Sequence, residues 1–265
     1  MTTRETPLLL LHTWGGSAAT WAPALGHLGA GVRHLTAPDL PGHGARAAEP
    51  FTVDGAVSAA LSAYGTEAAG PYDVAGPVDV AGTVDGVAPV DVVGAGLGAL
   101  VALALAERHR DRVRSLTLVG FPPADGAEAA RRPADTRAAL ERDGTAVFAR
   151  NYVDSTLLSA DPGHRDLLRH AMAGTRSEVL LDSLRATLGW RTHTSATALG
   201  LPCRVLRGAR DHRVAASAAD ALAHRLGGTA AVVPGAGHVA YLDEPAAFAA
   251  ALTAFHDGLR AAPAD

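Results

Sequence analysis

The chain has 265 residues, of which 48% are hydrophobic and 19% charged, and a formal net charge of −4. That size suits one large domain with room for a small insertion, and the balance is globular, without the basic surface nucleic acid requires. One cysteine, Cys203, excludes an internal disulfide and a cysteine-cluster zinc site, and suits a reducing, cytoplasmic setting.

Further classes fall away on residue types. Every basic residue in the count of 23 is arginine, so Schiff-base chemistry through a lysine, including lysine-anchored pyridoxal phosphate, is out. No apolar run is long enough to cross a bilayer, and residues 1–7 do not read as a secretory leader. The expected partner is a small molecule, with no membrane and no nucleic acid; oligomeric state is not readable.

In chain order, Leu8 to Leu11 form a continuous apolar run of strand length, as a strand covered on both faces requires. Residues 13–17 turn the chain, and Ser17 is expected to cap a helix over residues 19–28. A strand at residues 32–37 follows, then the turn-rich loop Pro38-Asp-Leu-Pro-Gly-His-Gly44, then a helix over 51–64. Residues 70–90 repeat Val-Asp and Val-Ala-Gly units, and their glycines and prolines predict an extended connection without chemistry.

The most informative stretch is Asp91-Val-Val-Gly-Ala-Gly-Leu-Gly-Ala-Leu100, which predicts a strand, a sharp glycine turn and a helix. Beyond it come a strand at 112–119 and a largely helical region to about residue 199. Within that region Asp161-Pro162 gives a cap and first-turn proline for a helix to about residue 173, and residues 177–188 read as another helix. The sheet resumes at 202–207, followed by a helix near 215–226, a strand at 230–233 and a last helix from Pro245. Alternating strands and helices predict a doubly wound, mostly parallel α/β sheet: residues 1–121 and 200–265 as its two parts, and 122–199 as a helical cap.

Two readings compete for the glycine turn. As G-x-G-x-x-A it is a dinucleotide fingerprint, which normally follows the first strand and expects an acid at the end of the next. Here it lies over a third of the way along, and the next strand ends Leu118-Val119-Gly120-Phe121, so both expectations fail. As G-x-S-x-G it is a nucleophile elbow, with Gly94 and Gly98 as the outer glycines and Gly96 at the serine position.

Four other segments favour the second reading: His12-Thr-Trp-Gly-Gly16 after the first strand, Asp39-Leu-Pro-Gly-His-Gly44 after the second, Gly208-Ala-Arg-Asp211, and Pro234-Gly-Ala-Gly-His238. As a set, and in this order, they make the chain resemble the α/β-hydrolase superfamily, in the branch with a helical cap that includes esterases, C–C bond hydrolases and cofactor-free haloperoxidase-like proteins. The resemblance implies Asp211 and His238 as an acid–histidine pair and the backbone amides of Trp14 and Leu97 as an oxyanion hole. It implies no metal and no cofactor. It also implies a serine at 96, where this chain has glycine, and none of Ala95, Leu97 and Ala99 carries a nucleophile in its place.

Thr13, which departs from the family's usual glycine, and Trp190, after a cap helix, are candidate pocket residues. His12 and His43 are expected to brace backbone, and Cys203 to be a core thiol. With a proton carrier and an anion hole but no hydroxyl at 96, the expected activity is non-hydrolytic acid–base chemistry on a small carbonyl compound of secondary-metabolite type: isomerisation, epimerisation, elimination or cyclisation. Family members such as cofactor-free dioxygenases and a peptide epimerase supply the analogy. Two alternatives stand beside it: an esterase, thioesterase or C–C hydrolase inactivated by Ser→Gly at 96, and a non-catalytic small-molecule binding protein.

Overall fold

The structure is a computed structural model that describes residues 7–28, 35–65, 89–121, 127–190 and 200–261. Among the described residues six strands form one sheet in the order β2-β1-β3-β4-β5-β6, and every pairing among them is parallel. They are β1 (Leu8–Leu11), β2 (Leu35–Thr36), β3 (Val90–Ala95), β4 (Val113–Val119), β5 (Cys203–Gly208) and β6 (Thr229–Val233). The helices are α1 (Ala22–Leu25), α2 (Val53–Gly65), α3 (Leu97–Arg108), α4 (Ala127–Thr156), α5 (Pro162–Ala173), α6 (Ser177–Gly189), α7 (Ala216–Arg225), α8 (Ala240–Asp243) and α9 (Pro245–Ala261).

The doubly wound sheet follows from the two-residue alternation of its strands. Leu9 and Leu11 of β1 join a core with α2, α3 and α7 on one face, while Leu8 and Leu10 join Trp21, Ala24 and α9 on the other. A strand covered on both faces has no polar side to show, which is why β1 is four leucines, each at most 2% exposed. Burial of each contributes about 2 kcal/mol.

Strand order also fixes where a ligand can sit. From β1 the chain steps outward to β2, then returns to place β3 on the other side of β1. The segments leaving β1 and β3 therefore diverge, opening a crevice at the carboxyl ends of those strands. Thr13 and Gly96 stand at its two sides.

Several expectations shift in detail. The helix expected over 19–28 is instead a 3-10 turn, Ala18–Trp21, followed by the single turn of α1, which ends at Leu25 with Gly26 as its C-cap. Ser17 holds the N-cap position in extended conformation, but its side chain makes no capping bond. Asp39 does that work from the neighbouring loop: its Oδ1 accepts from the Ala18 amide at 2.7 Å, and its Oδ2 from Ala45 at 2.7 Å. Asp161 caps α5 as expected, accepting from Gly163 at 2.7 Å. Helices α4, α5 and α6 lie in sequence between β4 and β5, and α4 is kinked at Gly144, where φ is 72°. The expected strand at 32–37 is described only from residue 35, and the repeats over 70–90 fall outside the described residues up to 88.

Candidate functional site

The elbow is built by close backbone approach. A Cβ at Gly94 would run into the carbonyl of Gly98, and one at Gly98 into the carbonyl of Leu11. The two outer glycines therefore let α3 start hard against β1 and β3. The Gly98 amide then donates to the His12 carbonyl at 3.0 Å. Between them, Gly96 takes φ +50° and ψ −106°, a conformation that disfavours any side chain. Residue 96 opens α3, whose first ten residues are all buried, so the positive end of the helix points at the crevice.

Facing it, the loop after β1 is pinned from several directions. His12 is fully buried; its Nδ1–H donates to the Thr13 carbonyl and its Nε2 accepts from the Leu40 amide, both at 3.0 Å. Burial pushes its pKa down to about 4, so it braces the loop as a neutral ring. His43 lies 5.0 Å away, ring to ring, and is held lower still, at about 3, first by burial and then by His12. Trp14 Nε1 donates to the Leu180 carbonyl of α6 at 2.9 Å, and its ring packs edge-on against Tyr152 and Phe148 of α4. These contacts fix the direction of the Trp14 amide. Among the described residues, neither that amide nor the Leu97 amide has a hydrogen-bond acceptor.

Asp211 and His238 come from the loops after β5 and β6. His238 Nδ1 lies 3.1 Å from Asp211 Oδ2, and both residues are buried, at 8% and 3% exposure. The other carboxylate oxygen accepts from the amides of Arg213 at 2.8 Å and Val214 at 3.1 Å. Burial works against the charged carboxyl, but the His238 bond, the His238 charge and those two amides outweigh it, and the pKa is lowered. A carboxylate at Nδ1 puts the imidazole proton there and leaves Nε2 as the basic nitrogen. Gly120, at the end of β4, has to be small, because a Cβ there would meet the His238 carbonyl at 2.6 Å.

Thr13, Trp14, Gly96, Leu97 and His238 line one cleft together with Arg132, Tyr152, Leu184 and Thr187. Thus the structure brings the elbow, the two amides, the histidine and Thr13 to one place, with Asp211 directly behind the ring. Trp190 is not among the lining residues: α6 ends at Gly189, the backbone at 190 turns extended, and the indole packs against the core. Thr187, three residues earlier on the same helix, faces the cleft instead. Arg191 and His193 lie outside the described residues. Cys203 is buried, with its thiol pushed up to about 12 by that burial, which leaves it an unreactive core group.

The sequence reading missed Arg132, Tyr152, Leu184 and Thr187, which come from helices whose facing no local pattern announced. It also missed Asp243, which accepts from the amides of Leu158 at 2.6 Å, Ser159 at 3.0 Å and Gly237 at 2.9 Å. The residue before His238 is in this way tied to the turn between α4 and α5. Among the described residues no cluster of three His, Cys, Asp or Glu side chains could hold a metal ion, and no helix is long and apolar enough to cross a membrane.

The family model described as "Alpha/beta hydrolase family" matches residues 8–251. A pimeloyl-[acyl-carrier protein] methyl ester esterase of Aromatoleum aromaticum is 27% identical over 261 residues, covering 90% of this chain and 93% of that protein. Two solved structures share the fold. A thermophilic esterase from Thermogutta terrifontis has a TM-score of 0.73 at 20% identity, covering 96% of this chain and 90% of that one. The enol-lactonase from Burkholderia xenovorans LB400 has a TM-score of 0.74 at 19% identity, covering 97% and 94%.

Proposed function

Given that this chain belongs to the alpha/beta hydrolase family, we propose that it is an enzyme of that superfamily which performs acid–base chemistry on a small carbonyl compound without forming an acyl-enzyme at residue 96. The single observation that carries this reading is the contrast within one cleft. The Asp211–His238 pair and the two unengaged amides are in place, while the elbow residue between them has no side chain.

In this reading His238 Nε2 takes a proton from the substrate, and Asp211 stabilises the imidazolium that results. The carbonyl oxygen, gaining charge, is received by the amides of Trp14 and Leu97, helped by the α3 N-terminus. A proton removed beside a carbonyl gives an enolate; its return to another position or face gives an isomer or epimer, and loss of a leaving group gives elimination or ring closure. The reading is therefore non-hydrolytic.

The esterase names carried by the relatives favour a second reading, hydrolysis of an ester or thioester. One experiment separates them. The purified protein is incubated in D2O with a panel of small ketones, esters and thioesters, and products are followed by NMR. The first reading expects deuterium beside the carbonyl, or an isomeric product, without release of acid, and loss of both signals in His238→Ala. Release of acid with no exchange at carbon contradicts it and supports the second.

A further inference from the structure

The Thr13 hydroxyl lies in the cleft beside the position that a side chain at residue 96 would take. A Cβ built on Gly96 would lie 2.9 Å from Thr13 Oγ1, 3.9 Å from Thr13 Cα and 3.8 Å from the Trp14 amide nitrogen. A side chain at residue 96 would press on the Thr13 hydroxyl unless that hydroxyl turned away. Thr13 is 3% exposed, and among the described residues its hydroxyl has no hydrogen-bond partner. Its carbonyl is fully engaged, by His12 Nδ1 and by the Gly16 amide at 2.9 Å, so the residue cannot drift. An unpartnered hydroxyl on the wall of a cleft that Gly96 and His238 also line is free to bond an oxygen brought by the ligand.

We propose that Thr13 and Gly96 form a seat for an external hydroxyl group, that of water or of a substrate alcohol, which His238 deprotonates for attack on the carbonyl held by the Trp14 and Leu97 amides. The hydroxyl that the elbow lacks is thus borrowed from the ligand and oriented by Thr13. This rests on the acid–base role of His238 but not on the choice between rearrangement and hydrolysis.

The step balances. The O–H bond of the seated group breaks and its proton goes to His238 Nε2. A C–O bond forms at the carbonyl carbon while the π pair moves onto the carbonyl oxygen, between the two amides. When that pair returns, the bond to the leaving oxygen or sulfur breaks, and His238 gives the proton to the departing group. With water seated the outcome is an acid; with an alcohol it is a transferred ester; with a hydroxyl of the same substrate it is ring closure.

Two measurements test the seat. A crystal structure of the resting protein is expected to show an ordered water within hydrogen-bond distance of Thr13 Oγ1, over the Gly96 Cα. That water is expected to disappear in Thr13→Val, which keeps the shape and removes the hydroxyl. An empty seat in the wild type overturns the proposal. In solution, p-nitrophenyl acetate turnover is expected to fall roughly 100-fold in Thr13→Val and to stay within about 3-fold of wild type in Thr13→Ser.

Added ethanol distinguishes the sources: ethyl acetate marks an alcohol in the seat, and acetate alone marks water. Equal rates for Thr13→Val and wild type, with His238→Ala inactive, overturn the seat and leave the acid–base reading standing. Equal rates for His238→Ala and wild type overturn the seat together with its base; no release of p-nitrophenol by the wild type overturns the seat alone and leaves the non-hydrolytic reading standing.

Discussion

Asp211 and His238 stand 27 residues apart in sequence, yet Oδ2 of one and Nδ1 of the other lie 3.1 Å apart behind the cleft. The contact is made by two loops leaving adjacent parallel strands, β5 and β6, whose register runs from Arg204↔Thr229 to Gly208↔Val233. The strands bring the loops together, and the loops need only turn inward.

If that pair drives the reaction, His238→Ala is expected to lower kcat by roughly 100- to 10,000-fold with little change in KM, as for loss of a general base. Asp211→Asn is expected to approach the same loss, because an amide no longer fixes the proton on Nδ1. Steady-state kinetics on any carbonyl compound turned over by the wild type checks both. Full activity in Asp211→Asn would count against the pair.

The Thr13–Gly96 relationship makes two substitutions dependent on each other. Gly96→Ser alone puts a Cβ 2.9 Å from Thr13 Oγ1 and is expected to gain little esterase activity. Gly96→Ser combined with Thr13→Gly clears the clash and is expected to exceed the single variant by roughly 100-fold on p-nitrophenyl acetate, since a complete nucleophile–base–acid set is worth about 10,000-fold or more. A double-mutant cycle measures the coupling; strict additivity would show that the two residues do not share the space.

Asp243 tests how the histidine loop is anchored. Asp243→Ala leaves the amides of Leu158, Ser159 and Gly237 without their acceptor, and a loss of about 2–4 kcal/mol is expected from urea denaturation. Asp243→Asn keeps an acceptor oxygen and is expected to lose less. An unchanged urea midpoint in the alanine variant would contradict the anchoring role.

His12 and His43 give stability a pH dependence of known sign. Their folded pKa values, about 4 and about 3, lie below the ordinary 6.5. Between those limits the unfolded chain binds protons that the folded chain refuses. Stability from these residues is therefore complete above pH 6.5 and is lost as pH falls, by up to about 3 kcal/mol for His12 and about 5 kcal/mol for His43. The urea midpoint is expected to start falling between pH 6.5 and 5, above the range where carboxylates titrate. A midpoint flat down to pH 5 would contradict the buried, neutral assignment.

The fold was legible in the sequence wherever burial imposes a pattern. Four consecutive leucines require a strand covered on both faces, and Asp161-Pro162 marks the start of α5 to the residue. The glycine turn could be placed but not explained: that Gly94 and Gly98 exist to let backbones touch is a fact of packing, not of spacing. Near the amino terminus Ser17 carried the expected capping chemistry, yet Asp39, distant in sequence, supplies the cap. Tertiary contacts override local ones there.

The candidate site was legible where it lies on strand ends, because Thr13, Trp14, Gly96, Asp211 and His238 each follow a readable strand. It was not legible on α4 and α6. The helix over 177–188 was read to within one residue of its end at Gly189, but which of its residues face the cleft was not readable, so Trp190 beyond it stood in for Thr187.

The central claim is that carbonyl chemistry proceeds in this cleft with no bond to the protein. Rapid-quench intact-mass spectrometry during turnover of p-nitrophenyl acetate tests it most directly, with the Gly96→Ser, Thr13→Gly double variant as the acylating control. The account predicts that wild-type protein keeps its unmodified mass at every time point, and that the control acquires an acetyl group. An acetylated wild-type species that forms and decays as fast as product appears, on Thr13 or any other residue, would contradict it.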